Sequence, residues 1–186
     1  MKFVGIEKIH EGKYLTRYNV EYEAQSGKHK FYEIISRNKN LTVEGYLHND
    51  KIDAVILIMH DETGEKVLLN REFRMAPGEL VYNFPAGLID EGENEEQAGA
   101  RELWEETGLK LLKVEEVWKE SYSAIGFSDE KTVVILGVAG GDFKPSTSEM
   151  EEIEAKWYTK AQIRELLKTA RFAARTQAYC ALWSRQ

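Results

Sequence analysis

The sequence predicts an α+β fold in which a mixed sheet with flanking helices follows an antiparallel β layer. Three features carry this: short alternating strand patterns fill the first third, one strongly helical segment lies between strand patterns in the middle, and two helical patterns close the chain. At 186 residues the chain suits one main domain with a small appended layer. The division is expected at residues 1–45 for the N-terminal β extension and 46–186 for the main domain.

From the N-terminus, Tyr14 to Tyr22 alternates apolar and polar residues, and Phe31 to Ser36 is rich in β-branched and aromatic side chains. Between them, Gln25, Ser26, Gly27 and Lys28 read as a hairpin turn. Ala54 to Met59 and Lys66 to Arg71 read as core strands joined by a polar turn at Asp61 to Gly64, and Glu79 to Phe84 as a further short strand. From Asn94 to Thr107 the spacing becomes helical, and Gly108 is placed to stop that helix. Val114 to Glu120 and Thr132 to Val138 supply two more strands. Lys160 to Lys168 and Ala170 to Trp183 are helical in pattern.

Composition excludes several classes. An apolar share of 42% with 31% charged residues and three prolines is that of an ordinary soluble globular protein. Met1 to His10 lacks the apolar stretch of a secretory signal, and the longest apolar run, Ala54 to Met59, is far short of the ~20 residues of a membrane span. A cytoplasmic location with no membrane partner is the expectation. The single cysteine, Cys180, fits a reducing compartment and reads as a small apolar residue of the last helix. A net charge of −7 disfavours nucleic acid as a partner. That charge is concentrated: from Gly87 to Leu109 eight acids face one base, Arg101, and the rest of the chain is neutral.

Within the middle helix, Glu102, Glu105 and Glu106 fall at i, i+3 and i+4 on one stripe, opposite Ala100, Leu103, Trp104 and Thr107. The apolar side is expected to bury and the acidic side to face outward or into a cleft. Like charges at i,i+4 destabilise a helix by a few tenths of a kcal/mol, about 0.2–0.5, unless a cation offsets them. A hard divalent ion such as Mg²⁺, held by one or two carboxylates plus substrate phosphates, suits an open cluster of this kind. The plain alternative is a solvated acidic helix face.

The longer pattern decides between these. Gly87, Glu93, Arg101, Glu102, Leu103, Glu105, Glu106, Gly108 and Leu109 occupy nine fixed positions over 23 residues, and this resembles the Nudix box at every one of them. The resemblance implies a Nudix fold, an α/β/α sandwich in which a loop–helix–loop binds metal. It implies Glu102 and Glu106 as metal ligands, with Glu105 as a further ligand and the Ala86 carbonyl as another. It also implies Arg101 as an orienting partner of the carboxylates and Glu93 as a supporting member. Gly87 is expected to permit a tight turn, aided by Gly92. The implied cofactor is Mg²⁺, with Mn²⁺ as a substitute.

Around the box, Arg71 to Arg74 and Phe84 to Glu93 look like the Nudix branch that hydrolyses ADP-ribose and nucleotide sugars. Tyr32 to Arg37 is similar to the strand ending that branch's N-terminal sheet, and Thr176 to Trp183 to its closing helix. The implied activity is hydrolysis of the diphosphate linkage of a nucleoside diphosphate derivative, foremost ADP-ribose to AMP and ribose 5-phosphate. In this branch the N-terminal sheet commonly mediates a homodimer. Arg74 and Arg37 are candidate phosphate contacts, because guanidinium groups bond phosphate oxygens bidentately. Tyr32, Phe31 and Tyr46 are candidates to stack on a base, although an aromatic in a strand is more often core. Glu130, ending the loop after Gly126, is the candidate to position or deprotonate the attacking water. Members specific for ADP-ribose often carry a proline where this chain has Ala124 and Ile125. UDP- and GDP-sugars therefore stay open as substrates, as does a non-catalytic Nudix-like ligand-binding module.

Overall fold

A computed structural model describes residues 1–43, 51–148 and 150–186. The chain forms two compact units, Met1–Asp53 with Glu120–Thr132, and Ala54–Lys119 with Val133–Gln186. The division expected at 45/46, like Tyr46, lies outside the described residues.

The first unit is built on an antiparallel sheet of β1 (Lys2–Glu11), β2 (Thr16–Glu23) and β3 (His29–Ser36), in that order. Alternation in β2 puts Tyr18 and Val20 on one face, where they pack with Ile34 and Leu41. Tyr18 donates its hydroxyl to the Asn38 carbonyl (2.7 Å) and accepts from Leu41 N (3.1 Å), so this buried phenol is satisfied. The turn falls at the expected place, with Gly27 in the left-handed region at φ 77° and Gly27 N donating to the Ala24 carbonyl at 2.9 Å. Strand β1 has no counterpart in the sequence reading. Its side chains are mostly exposed on both faces, so there is little alternation for the sequence to display, and its pairing with β2 holds it in place.

The second unit is a seven-stranded mixed sheet. Its main path runs β10 (Ile153–Thr159), β5 (Lys66–Arg74), β4 (Ala54–His60), β9 (Lys131–Gly140), β8 (Lys110–Tyr122), with β6 (Glu79–Asn83) on β5 and β7 (Ala86–Leu88) on β4. Strand β4 is buried on both faces. Ile56 and Ile58 pack with Ile163 of helix α2 (Lys160–Thr169) and with Cys180 and Trp183 of helix α3 (Ala174–Trp183). On the alternate face, Leu57 and Ile135 lie under helix α1 (Glu95–Thr107). Helices on both faces give the expected α/β/α arrangement. The last helix starts at Ala174, later than predicted: Phe172 forms a β-bridge to Tyr82 and stacks on its ring at 5.3 Å between centroids. Among the described residues no helix is long and apolar enough to cross a membrane.

Candidate active site

Helix α1 is fixed at both ends. Asn94 caps it, accepting from Gln97 N (2.9 Å) while the Gln97 side chain accepts from Asn94 N (3.0 Å), a reciprocal cap stabilising by about 1 kcal/mol. Gly108 ends it at φ 77°, where only glycine is unstrained. Along its buried face, a Cβ on Gly99 would lie 2.8 Å from Ile135 Cδ1 and 3.0 Å from Leu57 Cδ2, so this glycine lets the helix approach the sheet closely. Ala98, Leu103 and Thr107 are buried as the pattern predicts, but Trp104 and Ala100 are exposed. Trp104 is 39% exposed and lies under Lys144 Nζ, 4.2 Å from its ring centroid. The buried stripe is narrower than the sequence reading assumed, and Glu106 takes part in it.

Arg101 commits all five of its N–H groups. Nε and Nη2 bond both oxygens of Glu93 at 2.9 Å, and Nη2 also reaches the Leu88 carbonyl at 2.8 Å. Nη1 bonds Glu102 Oε1 at 2.7 Å and Glu105 Oε2 at 3.2 Å. This ties the loop after β7 to the helix and turns two of the carboxylates. The Glu93 carboxyl is held below the ordinary range, chiefly by the Arg101 hydrogen bonds. The Arg101 guanidinium is pushed further toward the charged form, chiefly by Glu93.

Glu106 is 9% exposed and accepts from Asn70 Nδ2 at 2.8 Å. Burial pushes its carboxyl well above the ordinary value, and the charges of Glu72 and Glu102 add to the shift. Glu102 is also raised, first by burial, against the opposing Arg101 bond. Gly87 is not in a turn: it sits in β7 opposite Val55, without a positive φ. A Cβ there would lie 1.9 Å from Glu102 Cδ, so the glycine leaves room for that carboxylate. The expectation of a turn at Gly87 is thus corrected to one of close approach, while Gly92 does take a positive φ of 90°.

The donor set fits a hard cation on three observations. The available atoms are carboxylate and carbonyl oxygens, with Glu72, Glu106 and Ala86 lining one cleft of about 320 Å³. The Gly87 cradle is filled by the Glu102 carboxylate. Among the described residues the buried Asn70 Oδ1, on the same amide that bonds Glu106, has no hydrogen-bond partner. Among the described residues, no three acidic, histidine or cysteine side chains already stand in metal-ligating geometry; Glu102 and Glu105 are turned to Arg101.

Other predicted residues are placed as follows. Arg74 is exposed, with Nη1 3.3 Å from Glu72 Oε2 at the same cleft. In the first unit, Arg37 Nε donates to Glu130 Oε2 at 2.6 Å, and Ser36 Oγ donates to Asp129 Oδ2 at 2.9 Å. Tyr32 donates its hydroxyl to the Gly126 carbonyl. Phe31 is 67% exposed. Two residues escaped the sequence reading. Glu72, 8% exposed, and Asn70 fall at i and i+2 on one face of β5. Their signal was present: two polar residues on the inward alternation of a strand, directly after the buried apolar run Val67 to Leu69.

A NUDIX domain model matches residues 50–179, more than half of the chain, and the protein belongs to the Nudix family. The chain is similar to an ADP-sugar pyrophosphatase of Mus musculus, 34% identical over 104 residues, which is 56% of this chain and 46% of that protein. An ADP-ribose pyrophosphatase of Bacillus subtilis (strain 168) is 29% identical over 135 residues, 73% of this chain and 64% of its own length. The matched stretch thus spans less than two thirds of either relative. A crystal structure of an ADP compounds hydrolase superposes with a TM-score of 0.73 at 21% identity, over 99% of this chain and 91% of that one, and shows the shared fold.

Proposed function

We propose that this protein is a Mg²⁺-dependent pyrophosphohydrolase that cuts the diphosphate linkage of ADP-ribose to AMP and ribose 5-phosphate. The observation that carries this reading is Glu106: a nearly buried carboxylate on the box helix that lines an open cleft with Ala86 and neighbouring acids and, among the described residues, has no guanidinium bonded to it. The names of the mouse and Bacillus relatives support the choice of substrate class.

Glu102, Glu105, Glu106 and the Ala86 carbonyl would hold Mg²⁺, with Mn²⁺ as a substitute. When bound, the ion supplies positive charge to the diphosphate and lowers the pKa of a coordinated water. Arg101 orients Glu102 and Glu105 through its Nη1 bonds. Arg74 offers an exposed guanidinium to phosphate oxygens. Water adds to one phosphorus, the bridging P–O bond breaks, and Glu130 accepts the water's proton at its carboxylate. For Glu130 to do so its Oε2 must leave Arg37, and Arg37 is then available to phosphate. Tyr32 contributes a substrate contact. The reading includes a homodimer through the N-terminal sheet, supported by exposed Phe31 and Phe127 beside β3.

The test is a hydrolysis screen of ADP-ribose, UDP-glucose, GDP-mannose and a dinucleoside polyphosphate, with Mg²⁺ or EDTA, reading products by chromatography. AMP and ribose 5-phosphate should appear only with Mg²⁺. Equal turnover in EDTA, or no cleavage of any diphosphate, overturns the reading. Light scattering coupled to size exclusion reports the dimer, and a monomer at micromolar concentration removes that part.

A further inference from the structure

We infer that Glu72 of β5 supplies a carboxylate oxygen to the same cation site as Glu106 and the Ala86 carbonyl, extending the box carboxylates with one from the sheet. The inference rests on the metal-dependent reading above. Glu72, Glu106 and Ala86 line one cleft. Alternation places Glu72 on the β5 face that also carries Asn70, and Asn70 bonds Glu106, so this strand face is turned toward the last turn of α1.

The two oxygens of Glu72 are engaged differently. Oε1 accepts from Asn83 Nδ2 at 3.1 Å, and Asn83 is itself fixed by Thr176 Oγ1 at 2.9 Å. Among the described residues Oε2 meets only the Arg74 guanidinium, at 3.3 Å, and that side chain is 58% exposed. One oxygen is thus anchored in the protein and the other is presented to the cleft. Charge compensation points the same way. Arg101 has no N–H left for Glu72 or Glu106, and among the described residues Arg74 is the sole cationic side chain lining this cleft. Two carboxylates this deeply buried, with one exposed guanidinium on Glu72, are costly unless a further positive charge joins them. The carboxylates of Glu72 and Glu106 offer the oxygen donors that suit Mg²⁺ or Mn²⁺. An anchoring role alone, holding Asn83, would need only Oε1.

Glu72→Gln keeps the shape and the Asn83 bond while removing the charge. Binding of Mn²⁺ is read from the EPR signal of the free ion, and melting temperature is recorded in EDTA and in saturating Mn²⁺. The expected result is Mn²⁺ affinity weaker by about tenfold or more, a smaller Mn²⁺-induced rise in Tm, and a Tm in EDTA at or above that of the wild type. Wild-type Mn²⁺ affinity in Glu72→Gln overturns the inference. So does a lower Tm in EDTA with an unchanged Mn²⁺-induced rise, the signature of anchoring alone. Should Glu72→Gln fail to fold, Glu72→Asp withdraws the carboxylate by one C–C bond, ~1.5 Å, and must also weaken Mn²⁺. Unchanged affinity there is equally decisive. Glu106→Gln separates the two levels of argument. If the wild type binds no Mn²⁺, the metal-dependent function fails. If the wild type binds and Glu106→Gln does not, while Glu72→Gln does, only the role of Glu72 fails.

Discussion

Replacing Gly87 with alanine puts a methyl group where Glu102 keeps its carboxylate. The added Cβ would stand 1.9 Å from Cδ, 2.0 Å from Oε1 and 2.3 Å from Oε2 of Glu102. Ordinary carbon contacts begin near ~3.5 Å, so the carboxylate must retreat by roughly 1.5 Å. It is half-buried and tied to Arg101 at 2.7 Å, so the retreat loosens that bond as well. A displacement of about 1 Å in a positioned group can lower turnover by about 100-fold, and kcat should fall on that scale. Stability should change little. Gly87 lacks a positive φ, so alanine is compatible with its backbone and gains about 0.4–1 kcal/mol from a less flexible unfolded chain. The weakened Arg101 contact, partly open to solvent, offsets this by about 0–1 kcal/mol. The assay is steady-state hydrolysis of ADP-ribose beside urea unfolding in EDTA. A Gly87→Ala enzyme within about threefold of wild-type kcat, against the 100-fold argued above, would show that the position of the Glu102 carboxylate does not matter to the chemistry.

Further outcomes follow from the same geometry. Glu106→Gln should fold, keep the Asn70 bond and lose most activity; near wild-type turnover removes its assignment. Its stability should also shift. A carboxyl whose folded pKa is raised costs stability as pH climbs from its unfolded value toward the folded one, so at pH 7 without metal the glutamine variant should melt at or above the wild-type temperature. Glu130→Gln should lower kcat by about 10²–10⁴-fold; unchanged turnover assigns the proton to another group. His60 gives the opposite linkage. Burial lowers its pKa from 6.5, and it lies between the Lys66 carbonyl (3.2 Å) and the Tyr179 hydroxyl (2.8 Å). The stability it contributes is present above pH 6.5 and is lost as pH falls through the lowered folded value. His60→Gln should reduce that acid-side loss in thermal melts between pH 7 and 5, and an identical slope in both proteins would contradict it.

Legibility in the sequence followed periodicity. Strand β4 was readable because it is apolar without interruption, and α1 because Asn94, Gln97 and Gly108 mark its ends. Strand β1 was not, since most of its side chains are exposed and little hydrophobic alternation shows. Strand β10 was missed for a related reason: only part of its surface is covered, and Glu154 and Lys156 interrupt the pattern. The box carboxylates were legible as a motif, whereas Asn70 and Glu72 show in the sequence only as polar residues on the inward alternation of a strand. Their meaning arises only when β5 lies beside α1, and a lone sequence does not display that pairing. The same limit explains Gly87, whose lack of a side chain answers to a glutamate fifteen positions away.

The burial of Glu106 and Glu72 has a structural corollary. A free helix carrying Glu102, Glu105 and Glu106 would relieve its repulsion by fraying or by rotating the acids into water. Here the Asn94 cap, the glycine stop at Gly108 and the close seat at Gly99 remove those options, while Asn70 and Asn83 hold the innermost carboxylates from behind. The repulsion is therefore not dissipated as disorder and adds to burial in raising the Glu106 and Glu102 carboxyls. On the proposed metal-dependent reading, Glu106 is already held in place, while Glu102 and Glu105 must turn from Arg101 to join it, and only charge positioned before the reaction contributes fully to a transition state.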